Sequence, residues 1–165
     1  MKNKKTILTI VVVLILDIIS KLLISNLMLE EQSIKIINNF FYLTYARNTG
    51  VAFSFLEGNI PFIITITILV IIVLIKYISS RELPLIEQIS YGLIIGGALG
   101  NLIDRVVYGY VIDFLDFYIF NYNYPIFNLA DCSIVIGIII YLIISLKTES
   151  SDKDEINSRK SRKNR

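Results

Sequence analysis

Residues 96–114 read GGALGNLIDRVVYGYVIDF, and within them Asn101, Asp104, Arg105 and Asp113 follow a glycine-studded apolar run. Polar and ionisable groups beside hydrocarbon are costly to hold, so a cluster of them points to a function. Asn128 and Asp131 stand close together in FNLADCSI, Asn48 stands in RNTG, and Asp17 and Lys21 interrupt the first apolar run of the chain. The chemistry open to these groups is narrow. Histidine is absent and Cys132 is the one cysteine. That removes an intrachain disulfide, the usual Cys/His ligand set for zinc, and Ser-His or Cys-His nucleophilic catalysis. Any acid–base work falls to carboxylates, lysine or tyrosine.

The elements that must position these residues are apolar. Of 165 residues, 55% are hydrophobic, and the mean hydropathy is +0.66, too apolar for a soluble domain of this length to cover. The composition implies an integral membrane protein. A formal net charge of +2, with the basic residues gathered at three points along the chain, gives no support to nucleic-acid binding. A hydrocarbon core of about 30 Å needs roughly 20 apolar residues in a helix, and four windows are read as spans: 6–28, 60–78, 85–103 and 126–146. The third is the least apolar, with Glu87, Gln88 and three glycines. The first follows MKNKK and imitates a signal peptide, but it is too long for an h-region and no small-x-small site follows it, so it reads as a retained helix.

Twelve of the 16 lysines and arginines precede the first span, join the second to the third, or follow the fourth. The positive-inside rule then places both termini in the cytoplasm. Residues 1–148 form one membrane domain, and 149–165 a polar, disordered cytoplasmic tail that serves as a topology anchor near anionic lipid. On the outer side, residues 30–59 favour short strands through IKIINNFFYLTYARNTGVAFSF. Residues 106–125 are rich in Tyr and Phe, rings that prefer the headgroup level, so both segments are placed on the outer membrane surface.

With this topology, four separate stretches deliver polar groups to one level at the outer leaflet boundary: Asn48, the Asn101–Arg105 cluster, Asp113, and Asn128 with Asp131. Gly92, Gly96 and Gly100 recur every fourth residue, the small-xxx-small pattern that lets membrane helices approach closely. Asp17 and Lys21, spaced i to i+4, share a helix face. Two readings stay open for them, a self-contained ion pair and a buttress turned toward the polar level. Asp104 reads as a surface ion pair and Asp116 as a solvated charge, while Arg105 has donors suited to a carbonyl or carboxylate. Cys132 reads as an inert filler. Asn128 could cap the fourth helix, whereas Asp131 is read as lying too far in to do so. A transporter with a proton relay would need ionisable groups spread through the bilayer depth, and only Asp17 and Lys21 lie deep.

The pieces DIISK, RNTGVAF, GGALGNLIDR, VIDF and FNLADCSI resemble, in order, the signature boxes of the lipoprotein signal peptidase family, signal peptidase II. The resemblance implies a fold of four transmembrane helices with a small β-cradle and a helical loop on the outer surface. It implies a bacterial cytoplasmic-membrane aspartyl protease that removes signal peptides from prolipoproteins on the amino side of a diacylglyceryl-modified cysteine. Asp113 and Asp131 are then the catalytic pair, working on a water nucleophile without metal or other cofactor. Asp17, Lys21, Asn48, Asn101, Arg105 and Asn128 form the supporting shell. The partners implied are the modified prolipoprotein and membrane lipids, with no nucleic acid, and the chain is expected to act as a monomer.

Overall fold

The computed structural model describes residues 3–50, 56–120 and 122–163, and side chains to residue 147. Four helices and four strands follow in the order α1 (Lys4–Leu27), β1 (Ser33–Ile37), β2 (Phe41–Asn48), α2 (Ile60–Ser79), α3 (Leu85–Tyr108), β3 (Val111–Ile119), β4 (Tyr122–Asn123) and α4 (Leu129–Lys163). Three stretches are long and apolar enough to cross a membrane, Lys4–Leu27, Ile60–Ser79 and Leu129–Lys147. The third window of the sequence becomes α3, which is as long as α1 but less apolar. Its place in the bundle explains that composition. α1, α2 and α4 all pack on α3, and α1 and α4 also touch each other. A helix screened from lipid by its neighbours can carry glycine and charge.

The glycine stripe sets how close those neighbours come. A Cβ on Gly92 would lie 2.5 Å from the Thr9 Cβ, and one on Gly96 2.9 Å from the Val13 Cβ, so these two glycines seat α1. Gly97 instead meets the backbone carbonyl of Ala130 and the Ile134 side chain on α4. At the opposite end from the sheet, Asn3 ties the helices together. Its amide donates to the carbonyls of Ile78 and Arg81 at 2.7 and 2.9 Å, and its oxygen accepts from the Leu83 amide at 3.0 Å.

The strands form one antiparallel sheet in the order β1-β2-β3-β4. A bulge in β2 between Leu43 and Ala46 shifts its register against β3. Rings of Phe41, Phe117 and Phe127 stack across the sheet, with centroids 4.6 and 5.7 Å apart. The expected all-α membrane fold with a small β-cradle is found as a helical bundle carrying this small antiparallel sheet. The helical loop has no counterpart among the described residues, and Val51, Ala52 and Phe53 of the RNTGVAF piece lie outside them. α3 runs past its apolar window to Tyr108 because Gly109, at φ 78°, supplies the left-handed residue that stops a helix. The backbone of α4 stays helical to Lys163, through most of the segment whose composition predicts disorder.

Candidate active site

Every residue expected at the polar level meets the others where α1, α3 and the start of α4 reach the sheet. Asp17 and Lys21 are both buried on one face of α1, and the two readings left open for them turn out compatible. Lys21 Nζ lies 2.7 Å from Asp17 Oδ2, 2.9 Å from Asp104 Oδ2, and donates to Asn101 Oδ1 at 3.0 Å. Asp17 Oδ1 accepts from the Ala130 amide at 3.0 Å. The pair is therefore internal to α1 and also fastens α3 and α4.

Asp104 is a correction to the sequence reading. It is 5% exposed, pairs with Lys21, and accepts from the Ile112 amide at 3.2 Å, so it joins α1, α3 and β3 rather than lying in a surface pair. The missed signal was its spacing: Asp104 follows Gly100 by four and Asn101 by three, on the face the glycines already mark as packed. Asp116 is likewise buried, at 3% exposure, and accepts from the Thr44 hydroxyl at 2.6 Å. Its neighbours on β3 are apolar, and a strand position hidden beneath β2 is invisible to a local charge count.

Asn128 and Asp131 make a capping box at the start of α4. Asn128 Oδ1 accepts from the Asp131 amide at 3.0 Å, and Asp131 Oδ2 accepts from the Asn128 amide at 3.2 Å. The sequence placed the helix start at Ile126 and so put Asp131 too deep for this role. With α4 beginning at Leu129, Asp131 falls in the first turn and presents its other oxygen to Asn101 Nδ2 at 2.8 Å.

Asp113 comes from β3, opposite Ala46 in the register. Its two oxygens accept from Asn48 Nδ2 at 2.9 Å and Asn128 Nδ2 at 2.6 Å. The Asn128 amide also reaches Asn101 Oδ1 at 3.1 Å. One asparagine therefore bonds to both Asp113 and Asp131. Arg105, 8% exposed, donates to the Gly50 carbonyl and, at 3.4 Å, to the Asn101 carbonyl, tying Gly50 to α3.

The electrostatics follow from this wiring. Both carboxylates are held by neutral amides, and the nearest ammonium, Lys21, is engaged with Asp17 and Asp104. No cation bonds directly to either one in the described hydrogen bonds. Burial, and after it the negative charge of Asp131, raises the Asp113 carboxyl from 3.8 to about 7, against smaller opposing effects of the Asn48 and Asn128 bonds and the Lys21 charge. Two acids bonded to one asparagine, Asp113 through its side-chain amide and Asp131 through its backbone amide, with no cation bonded to either, can hold a single proton and exchange it with water. Among the described residues no group of three or more His, Cys, Asp or Glu is placed to hold a metal ion.

The fold and this centre define a helical membrane protein with a carboxylate pair, Asp113 buried and Asp131 half-buried, at one end of its bundle. The family described as Signal peptidase (SPase) II matches residues 9–147. A lipoprotein signal peptidase of Staphylococcus aureus is 40% identical over 151 residues, covering 91% of this chain and 93% of that protein. The same identity and coverage hold for the lipoprotein signal peptidase of the MRSA252 strain. Two solved structures, each titled a bacterial membrane enzyme studied by the in meso method, superpose with TM-scores of 0.83 and 0.78 at 41% identity. They cover 88% and 86% of this chain, and 90% and 92% of their own. The chain belongs to the signal peptidase II family. It is a protease and a bacterial membrane protein.

Proposed function

We propose that this chain is an aspartic endopeptidase that removes the signal peptide from prolipoproteins on the amino side of a diacylglyceryl-modified cysteine. The observation that carries the proposal is the convergence of Asp113 and Asp131, from β3 and α4, on one residue, Asn128, whose side-chain amide donates to Asp113 and whose backbone amide donates to Asp131. Family membership supplies the reaction class, and these two acids are the ones placed to share a proton.

In the proposed mechanism the pair titrates as one unit with one proton between its members over neutral pH. The ionised member takes a proton from water as that water attacks the scissile carbonyl. The protonated member donates to the carbonyl oxygen, and return of the proton to the leaving amine collapses the tetrahedral intermediate. Asn48, Asn101 and Asn128 hold the acids in register, Arg105 fixes Gly50 beside them, and Asp17 with Lys21 locks α1 and α4 beneath. Donors aimed at developing charge in such a site are worth a few kcal/mol each. No metal takes part.

In this proposal all four long helices span the cytoplasmic membrane, both termini are cytoplasmic, and the sheet lies on the outer surface, so the carboxylates sit near the outer leaflet. A bond next to a diacylglyceryl cysteine is held at that level by its acyl chains, at about 0.8 kcal/mol per buried CH₂. The enzyme works as a monomer.

The test is to mix the detergent-purified chain with a diacylglyceryl-modified prolipoprotein and follow the mobility shift on a gel, with and without EDTA. Cleavage unaffected by EDTA is expected. Intact substrate would remove the proposal, and strong loss with EDTA would point to a metal site instead.

A further inference from the structure

One of the neutral amides on Asp113 is in place because of a single extra residue in β2. Between the pairs Leu43–Leu115 and Ala46–Asp113, β2 carries two residues, Thr44 and Tyr45, where β3 carries one, Phe114. An extra residue reverses the face that every later side chain of the strand takes. With it, Asn48 stands opposite Val111, on the same face as Asp113, and its amide reaches Asp113 Oδ2 at 2.9 Å. In an unbulged ladder Arg47 would stand opposite Val111, and a guanidinium would take the place of the amide. Instead Arg47 pairs with Ile112 and turns to the other face, where its guanidinium lies 4.7 Å from the Tyr110 ring centre and 3.1 Å from Glu30.

A bulge leaves backbone groups out of the ladder, so it must be held by other bonds. The backbone of Tyr45 bonds away from β3: its amide donates to the Gln32 carbonyl at 3.0 Å and its carbonyl accepts from the Glu31 amide at 2.9 Å. Toward β3 the tie is a side chain. The Thr44 hydroxyl donates to Asp116 Oδ2 at 2.6 Å, and with its one proton committed there it accepts from the Ser33 hydroxyl at 2.8 Å. Asp116 is 3% exposed, and its other oxygen is buried without a hydrogen-bond partner among the described residues. Burying a carboxylate against one hydroxyl is unfavourable for stability, and the mechanism above gives Asp116 no part.

We infer that Thr44 and Asp116 are positioning residues for the reaction: their hydrogen bond pins the bulge, and the pinned bulge delivers Asn48, not Arg47, to Asp113. As a statement about catalysis the inference rests on the proposed function, whereas its effect on the charge of Asp113 can be read without any substrate.

Thr44→Val keeps the branched shape and removes the hydroxyl. In the detergent-purified full chain the infrared band of protonated Asp113 should then persist to higher pH, its midpoint raised by about half a pH unit, because a bond that favours the ionised acid is lost. The charged groups acting on Asp113 are Asp131 of α4, Lys21 of α1 and Arg105 of α3. None is changed, so a moved midpoint reports the amide. Asn48→Ala should raise the midpoint as well, and adding Thr44→Val to it should move nothing further. On a diacylglyceryl-modified prolipoprotein, Thr44→Val should lower kcat about tenfold with KM held, and Thr44→Ser should restore it. Thr44→Val combined with Asp116→Leu replaces both partners of the bond by apolar groups, a change near neutral for folding. That double variant should melt with the unsubstituted chain and still show the raised midpoint. An unmoved midpoint in Thr44→Val and in the double variant, or a shift that adds in full to that of Asn48→Ala, would overturn the inference. If the unsubstituted chain leaves the prolipoprotein intact while the midpoint moves as described, the protease proposal falls and the positioning of Asn48 stands. Cleavage with kcat and midpoint both unchanged in Thr44→Val overturns the positioning alone.

Discussion

Asn128 spends its whole side chain on the site: its amide donates to Asp113 and Asn101, and its oxygen accepts from Asp131. Because burial, and after it the charge of Asp131, outweighs the bonds from these neutral amides, Asp113 keeps its proton to about pH 7. The sign of the resulting pH dependence is fixed. An acid whose folded pKa lies above its unfolded value binds the extra proton only when folded, so its contribution is full below about pH 4 and is lost as pH rises through 7. The protein in detergent should therefore lose thermal stability between pH 5 and 8, and Asp113→Asn should remove most of that slope. The carboxylic-acid C=O band in the infrared should fade over the same interval and be absent from the variant. A flat wild-type profile would contradict this charge state. Lys21→Met should be far more damaging, since it strands Asp17 and Asp104 without their ammonium. A loss of about 3–5 kcal/mol in unfolding free energy is expected, and a change under 1 kcal/mol would show that the three-way pairing is unimportant. Asp17, Lys21, Asn48, Asn101, Arg105, Asp113, Asn128 and Asp131 were all legible in the sequence, because a polar residue in an apolar run announces itself. Asp104 and Asp116 were not, because each lies next to a segment that looks solvated and is hidden by an element distant in the chain.

At the scale of elements, apolar windows located the helices and misplaced their ends. Hydropathy reports what lies in lipid, whereas a helix ends where backbone geometry changes, at Gly109 for α3 and at the Asn128–Asp131 box for α4. The box caps α4 and presents Asp131 with the same bonds, so the position of the acid depends on the seating of that helix. Gly97 sets the seating, its missing Cβ leaving room for the Ala130 carbonyl. Gly97→Ala should push α4 outward, at a cost of about 1–3 kcal/mol from overpacking, and should lower kcat more than it raises KM. Unchanged kcat alongside a lowered Tm would show that the acids tolerate the shift. The strands were visible in the runs of Ile, Tyr and Phe, but the bulge in β2 was not, since a bulge is a relation between two strands.

For the whole molecule, α3 is the organising helix: too polar to face lipid on all sides, and covered by the other three. The proposal that the sheet lies on the outer surface follows from the positive-inside count. Single cysteines at Lys35 and at Ser151, in a Cys132→Ser background, give the check in intact cells. A membrane-impermeant thiol reagent should label the first and spare the second. The reverse pattern would invert the topology and remove the site from the outer leaflet. The family match covers residues 9–147, so the organisation of the bundle is shared with its relatives, while the polar extension of α4 beyond it belongs to the remainder of the chain.

The most direct measurement is cleavage of a diacylglyceryl-modified prolipoprotein by purified Asp113→Asn and Asp131→Asn, each shown by circular dichroism and thermal melting to remain folded. Loss of at least about a thousandfold in kcat is predicted for both, with no additional loss when they are combined, because the two acids act as one unit. Cleavage by either single variant within tenfold of the unsubstituted rate would contradict the carboxylate pair as the cleaving centre.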